Sequence, residues 1–503
     1  MSEPARSEAP APAATPTVKV ALAPRPPPQR RALSERVNPI VIQELRRNLR
    51  ARLFSSAFSL MLIACVVVAL VAWASRMEAL SDGRAIFIAF YFCLAVVGFF
   101  VLPYNAFRSL AADREEKHWA LLVLTRLTPR QILAGKIGSS LVQAMLFTSV
   151  AAPFLMFSYL LQGIDLLTVG VVGALTVLWQ AALTTVAASF AAVPEGKLFR
   201  GAAHFVILGA LFAAMWTGIG ITAGLVEEAS VLASSRETPY LIAFGTWLTV
   251  SSAALAFGIG VSRLTWASDN HALWPRLALT VQVLGTIVAA GLGFTVHHDA
   301  GFGMVLGIFG CSYVGFAGIF LSTGPDGMSR PLRLTSRLHG VNLFLPGALR
   351  GFRLQVLLAV AVGLGGHLLT EIGTTGINDS WHGLALVLAA HAIFYVSLAP
   401  IFSKGPLRRL LPSIASQRIF AFSVYLVTFG VPLLVAAVLS DRIWELPLAF
   451  MNPLAMIMSV DHSSDSEWIH LSRNALPLAW PLAMAAALVC DRVLAARERE
   501  AHA

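Results

Sequence analysis

Five consecutive charged residues, Asp113, Arg114, Glu115, Glu116 and Lys117, interrupt a chain that is otherwise apolar for long stretches on either side. Opposite charges one helical turn apart stabilise a helix by about 0.2–0.5 kcal/mol per pair, and an alternating run of this kind also offers a patterned surface to a partner. Its plainest reading is a solvated helix joining two membrane spans. A second group, Asp461, His462, Asp465, Glu467 and His470, gathers side chains that ligate metals or move protons, but their spacing matches no closed metal site. A solvated loop is the simpler reading there and at His297, His298 and Asp299. His204, His367 and His391 each stand alone in apolar surroundings, where an imidazole usually serves helix packing as a hydrogen bonder. The four cysteines, Cys65, Cys93, Cys311 and Cys490, all fall in apolar segments without the spacing of a metal site or a disulfide framework.

The elements around the charged run have readable starts. Thr128 is a helix N-cap with Pro129 at the first helical position, and Gln131 can reach back to the cap. The helix it opens, which includes Arg130 and Lys136, is expected to run into the membrane. Upstream, Asn38 and Pro39 open a helix within residues 34–53 that sets Val37, Val41, Leu45, Leu49 and Leu53 four apart and places Glu44, Arg46, Arg47, Arg50 and Arg52 on other faces. Such a basic amphipathic helix before a span fits the cytoplasmic face of a bilayer.

Composition sets the solvent. The chain is 57% hydrophobic and 13% charged, against about 25% charged in soluble domains. Apolar segments long enough to cross about 30 Å of hydrocarbon recur near residues 54–74, 85–107, 137–161, 167–193, 203–226, 241–262, 277–297, 301–322, 354–370, 382–402, 419–440 and 476–491. The expectation is an all-α polytopic membrane protein of about twelve transmembrane helices. With the N-terminus inside, all but Arg76, Arg84, Arg236, Arg442 and Arg473 of the 37 Lys and Arg residues are cytoplasmic, the bias of the positive-inside rule. Both termini are then cytoplasmic. Residues 1–33, rich in Pro and Ala, read as a disordered tail, and without a cleavable signal pattern the first span is retained. The domains expected are this tail, the helix in 34–53, a core over 54–262 with its loop at 108–136, and a second bundle over 263–503 with an outer loop at 441–475.

The span cores contain no Asp, Glu, Lys or Arg, each of which would cost about 2.5–3.5 kcal/mol at a helix centre, so no coupling carboxylate for protons or sodium stands out. Nor does the sequence contain the GxxxxGK[ST] loop that cradles ATP phosphates. An energised process would draw on a separate ATPase. No nucleic-acid motif is present, and no catalytic, cofactor or metal residue is assigned.

Residues Asn38–Phe54 (NPIVIQELRRNLRARLF) and Thr125–Lys136 (TRLTPRQILAGK) together resemble the permease subunits of ABC-2-type transporters. In that family an amphipathic elbow helix precedes the first span, a charged block follows the second, and a TPLSPREILLGK-like sequence leads into the third. The chain departs from the family pattern at His118, Trp119 and Ala120. The resemblance covers roughly residues 36–195, with Asn452, Pro453 and Leu454 a fainter likeness near the end. It implies that Asp113, Arg114, Glu115, Glu116 and Lys117 contact a separate ABC ATPase subunit, that Thr128, Pro129, Arg130 and Lys136 form the coupling lever, and that Asn38, Pro39, Glu44, Arg46 and Arg47 belong to the elbow helix. It further implies an exporter of a hydrophobic or lipid-like substrate in a bacterial inner membrane, with ATP bound only by the partner. The family core has six spans, so twelve imply either two fused halves or a core with an appended bundle, in a homodimer or a pseudo-dimer. Residues Ser329–Arg353 lie where a second charged block would stand but lack its acidic run. A polytopic enzyme of lipid-linked group transfer and a secondary transporter are the alternatives.

Overall fold

A computed structural model describes residues 39–76, 83–115, 127–160, 164–193, 197–227, 237–266, 269–324, 328–335, 342–373, 383–404, 409–411, 413–424 and 466–502, with positions 407 and 427. The architecture is all-α: among the described residues, eleven helices are long and apolar enough to cross a membrane. The expected span at 419–440 falls largely outside the described residues, although 414–424 is helical. The tail 1–33 lies outside them as well.

Helix α1, Pro39–Leu49, ends short of the Leu53 expected, residues 34–38 lying outside the described residues, and α2, Arg52–Arg76, begins after a turn in which the Ala51 amide donates to the Asn48 carbonyl. Helix α3 comprises Gly83–Ala95, a π-helical turn Val96–Val101, and Leu102–Glu115. Pro103 follows the π turn; the wider turn relieves the clash of a proline ring with the preceding turn and its missing amide. The end of α3 absorbs Arg108–Glu115, which therefore continue a span and do not form a separate connecting helix. Helices α4 (Pro129–Leu160), α5 (Leu166–Phe190), α6 (Lys197–Glu227) and α7 (Glu237–Leu264) complete the first half. The second half contains α8 (Leu273–His297), α9 (Gly301–Val305, a π turn Leu306–Gly310, then Cys311–Ser322), the short α10 (Arg330–Thr335), α11 (Ala348–Ile372), α12 (Leu384–Lys404) and α13 (Ser466–His502). Helix α13 takes in the last third of the outer loop expected at 441–475, placing Glu467 and His470 on a helix; Asp461, His462 and Asp465 lie outside the described residues.

One buried cluster draws on residues between Met61 and Leu264, with Phe87, Phe90, Phe99, Phe107 and Phe147 at its centre. Another runs from Leu279 to Ala483, and a smaller one joins Phe352 to Cys490 and Leu494. Lipid tails are as apolar as these side chains, so close packing, and not expulsion from water, holds such helices together. Glycine provides that closeness in the second half: a Cβ on Gly303 would fall 2.5 Å from the Gly366 carbonyl oxygen, and one on Gly351 would collide with the Leu321 oxygen. Gly303 and Gly307, four residues apart, pack closely, whereas a methyl on Gly220 or Gly224, spaced alike, would meet no atom within 4 Å. Gly303→Ala should therefore lower the thermal unfolding midpoint in detergent by several degrees, the cost of overpacking being about 1–3 kcal/mol. Gly220→Ala should leave the midpoint unchanged or raise it.

Candidate functional site

Helix α4 has 32 residues and is about 48 Å long at 1.5 Å per residue, so it reaches well beyond a hydrocarbon core of about 30 Å. Its start is built as the sequence suggests. The Thr128 amide and hydroxyl both donate to Gln131 Oε1, at 3.0 and 3.1 Å, and the Gln131 amide donates to Thr128 Oγ1 at 3.3 Å. Pro129 stands first in the helix.

Two turns on, Lys136 is 3% exposed. An ammonium removed from water needs partners for its charge and for its three N–H groups. It has them: Nζ lies 2.7 Å from Glu44 Oε1, 2.6 Å from Asp113 Oδ2 and 2.8 Å from Ser109 Oγ. Arg47 closes the group, pairing with Glu44 Oε2 at 3.1 Å and donating to Ser109 Oγ at 3.1 Å. One cation thus ties α1, the end of α3 and the start of α4 together. Gly138 lets α1 sit down on α4, where a methyl would come 3.3 Å from Val41 Cγ2. Glu44, read from the sequence as part of the polar face, belongs to the buried one with Ile40, while Arg46 is exposed.

The rest of the charged run is placed as follows. Asp113 is committed to Lys136. Arg114 donates to the carbonyls of Ala191 and Ala192, at 3.3 and 2.7 Å, and so completes the C-terminus of α5, where unpaired carbonyls carry partial negative charge. Glu115 is the last residue of α3, and Glu116 and Lys117 lie outside the described residues, as does Asn38. The guanidinium of Arg130, exposed on the first turn of α4, lies 3.8 Å over the ring of Trp274 at the start of α8. Both sides of the 116–126 segment are therefore anchored, one to α1, α4 and α5 and the other to the second half of the chain.

Arg130 and Trp274 also bring a second charged group to this same end of the bundle, one not anticipated from the sequence. Arg276, 5% exposed, donates to the carbonyls of Leu343, Leu345 and Gly347. Arg350, 4% exposed, pairs with Glu498 of α13 at 2.7 Å, and Arg353 grips Asp491 through two bonds of 2.7 and 3.1 Å. Lys404 meets Glu500 at 2.9 Å. The sequence shows only isolated arginines at the apolar starts WPRLALT and GALRGFR, whose partners stand far along the chain, as Asp491 does 138 residues from Arg353. Between the two groups, burial, with Arg276 and Arg263 nearby, holds the His271 imidazole below its ordinary pKa, so at neutral pH it adds no charge there.

Within the helices, Tyr104 shares a 3.2 Å hydrogen bond with His204, and His367 contacts Glu371 one turn on at 3.6 Å. Two cavities flank α7. One of about 390 Å³ lies against α3, α5 and α6, and one of about 760 Å³ lies against α8 and α9. The larger is walled by Phe244, Phe302 and Phe309 and crossed by a neutral hydrogen-bonded chain, Tyr313 to Gln282 at 2.6 Å and Gln282 to Ser252 at 2.9 Å. No family model, curated protein or solved structure matches the chain.

Removing the cation alone should be the most damaging change at this end. Lys136→Met leaves the buried Glu44 carboxylate and the half-buried Asp113 carboxylate without their cation and is expected to cost about 3–5 kcal/mol, read as a lower unfolding midpoint. Adding Glu44→Gln and Asp113→Asn should restore most of it; a single variant within about 1 kcal/mol of wild type would contradict the brace. For Arg130 and Trp274, a double-mutant cycle with Arg130→Ala and Trp274→Leu should return a coupling of about 0.5–1 kcal/mol.

Proposed function

We propose that this chain is the membrane-spanning permease subunit of an ATP-driven transporter, working with a separate ATPase that docks on the segment between α3 and α4. The observation that carries this reading is the Lys136 brace. A segment whose two flanks are held by a buried ion cluster, a capping box and a cation–π contact passes a push on to α1, α3, α4 and α5 as a body. A mere connector needs none of these anchors. In this reading Asp113 and Arg114 fix the root of the docking segment, Glu115, Glu116 and Lys117 offer its charge, and Thr128, Pro129, Arg130 and Lys136 form the lever. Asn38, Pro39, Glu44, Arg46 and Arg47 form the elbow at the membrane face. The likeness to ABC-2-type permeases supports the same assignment, and with it a bacterial inner membrane and export.

ATP binding in the partner then works as a ligand that favours one packing of the helices over another. The cavities, walled mainly by aromatic and aliphatic side chains, with neutral hydrogen-bonding groups and, in the larger, Asp299 among the lining residues, suit a hydrophobic or lipid-like substrate.

The purified chain alone should hydrolyse no ATP, and complex isolated from host membranes should. Glu115→Lys combined with Glu116→Lys should reduce the ATPase recovered with the tagged chain at least several-fold without lowering the chain's own unfolding midpoint. Full recovery and unchanged transport in that variant would refute the docking role. Loss of activity on changing Asp461, His462 and His470 to Ala, with partner binding intact, would instead favour a membrane enzyme; uptake abolished by an uncoupler at constant ATP would favour a secondary transporter.

A further inference from the structure

With α1 and the short α10 set aside, the described helices of the two halves repeat in order, counted as first to sixth from α2 to α7 and again through α8, α9, α11, α12, the 414–424 helix and α13. In each, the second helix is broken by a π turn, Val96–Val101 in α3 and Leu306–Gly310 in α9. Such turns account for well under about 1% of residues, and these are the two among the described residues. The helix continues for 14 residues past the first turn and 12 past the second. In each, a glycine of the turn seats it on the fourth helix: a Cβ on Gly98 would collide with the Gln180 side chain of α5, and one on Gly307 would fall 2.7 Å from Ala385 of α12.

The remaining partners repeat as well. The first helix of each half lies on the second and third, and the third lies on the fourth. The second reaches the fifth, through Tyr104 and His204 in one half and through Thr323 and Arg418 of the 414–424 helix in the other. The fourth meets the sixth, at Ser189 and Gly260 and again at Pro400 and Arg497. Both halves also point the same way, because Lys136 and Arg350, each near the start of the third helix, lie at the end where Arg130 meets Trp274. Parallel repeats of this kind are related by an axis along the membrane normal.

We propose that the chain is a tandem repeat of one six-helix unit, that a single copy supplies both membrane halves of the assembly, and that α10 is the second unit's docking element for a second copy of the ATPase. The identity of that partner rests on the transporter reading above; the repeat does not. Helix α10 follows the second helix of its unit, as the 116–126 segment follows α3, and it presents exposed Arg330 and Leu334, the latter 79% exposed at the charged end of the molecule. The two docking ends are chemically distinct, because Glu498 of α13, and not an elbow helix, provides the acid for Arg350. They can therefore be disabled separately.

Two differently tagged copies of the full-length chain, co-expressed in the native host, are extracted with their lipid and isolated through one tag. The complex is photolabelled with 8-azido-ATP to mark the ATPase and weighed by native mass spectrometry. One copy of the 53.8 kDa chain with two labelled subunits is expected. Arg330→Glu with Leu334→Asp should lower this to one labelled subunit; Arg330→Glu alone should weaken the second subunit if the double variant does not fold. Recovery of the second tag at parity overturns the single-chain assembly. One labelled subunit per wild-type chain overturns the second docking surface and leaves the proposed function standing. No labelled subunit at all overturns the proposed function and both docking assignments, and the tag ratio then still decides the single-chain assembly.

Discussion

A lysine ammonium enclosed by protein is tolerated only if its charge is met and its hydrogens are used, and Lys136 sets that demand where three helices converge. Because Glu44, Asp113 and Ser109 must all point at one nitrogen, the demand fixes the rotation of α1, the register at which α3 ends and the length of α4 that stands clear of the bilayer. Neither apolar packing nor helix propensity would fix these, since an apolar helix in lipid slides and rotates at little cost. The brace converts these three helices into one body at one end.

The rest of the molecule shows the same division of labour. Within the spans, glycines and alanines bring backbones together, as where Gly303 meets Gly366 and Gly363 meets Ala389. At the charged end, buried guanidiniums on Arg276 and Arg350 take up loop carbonyls and the carboxylate of Glu498. The π turns in α3 and α9 lie between these regimes. A turn with one residue too many is the natural place for a helix to bend when its charged end is pushed, and here each such turn rests on a glycine contact that leaves little room for error.

Much of this was legible in the chain, and what was not has a physical reason. Apolar runs marked the spans, because a stretch of about twenty residues without charge has one solvent available to it. The capping box at Thr128 and Gln131 was readable because caps are local. The brace was not: Glu44 and Lys136 are 92 residues apart, and a lone acid among Arg46, Arg47, Arg50 and Arg52 looks like an ordinary member of a polar face. Asp113 and Arg114 were read as outward contacts for the same reason, since charge pattern does not say which carboxylate has a buried cation opposite. The likeness between halves lies in π turns and in helix partners, the latter being contacts between residues distant in the chain.

We propose that nucleotide binding outside this chain moves its helices through the Lys136 brace. Pulsed electron paramagnetic resonance between spin labels at Thr128 and Leu334 in the assembled complex tests it most directly. The distance distribution should shift by several ångströms when ATP is trapped on the partner, and the shift should be lost in Lys136→Met although the partner still binds nucleotide. An unchanged distance in the wild type, or the same shift in the variant, would contradict it.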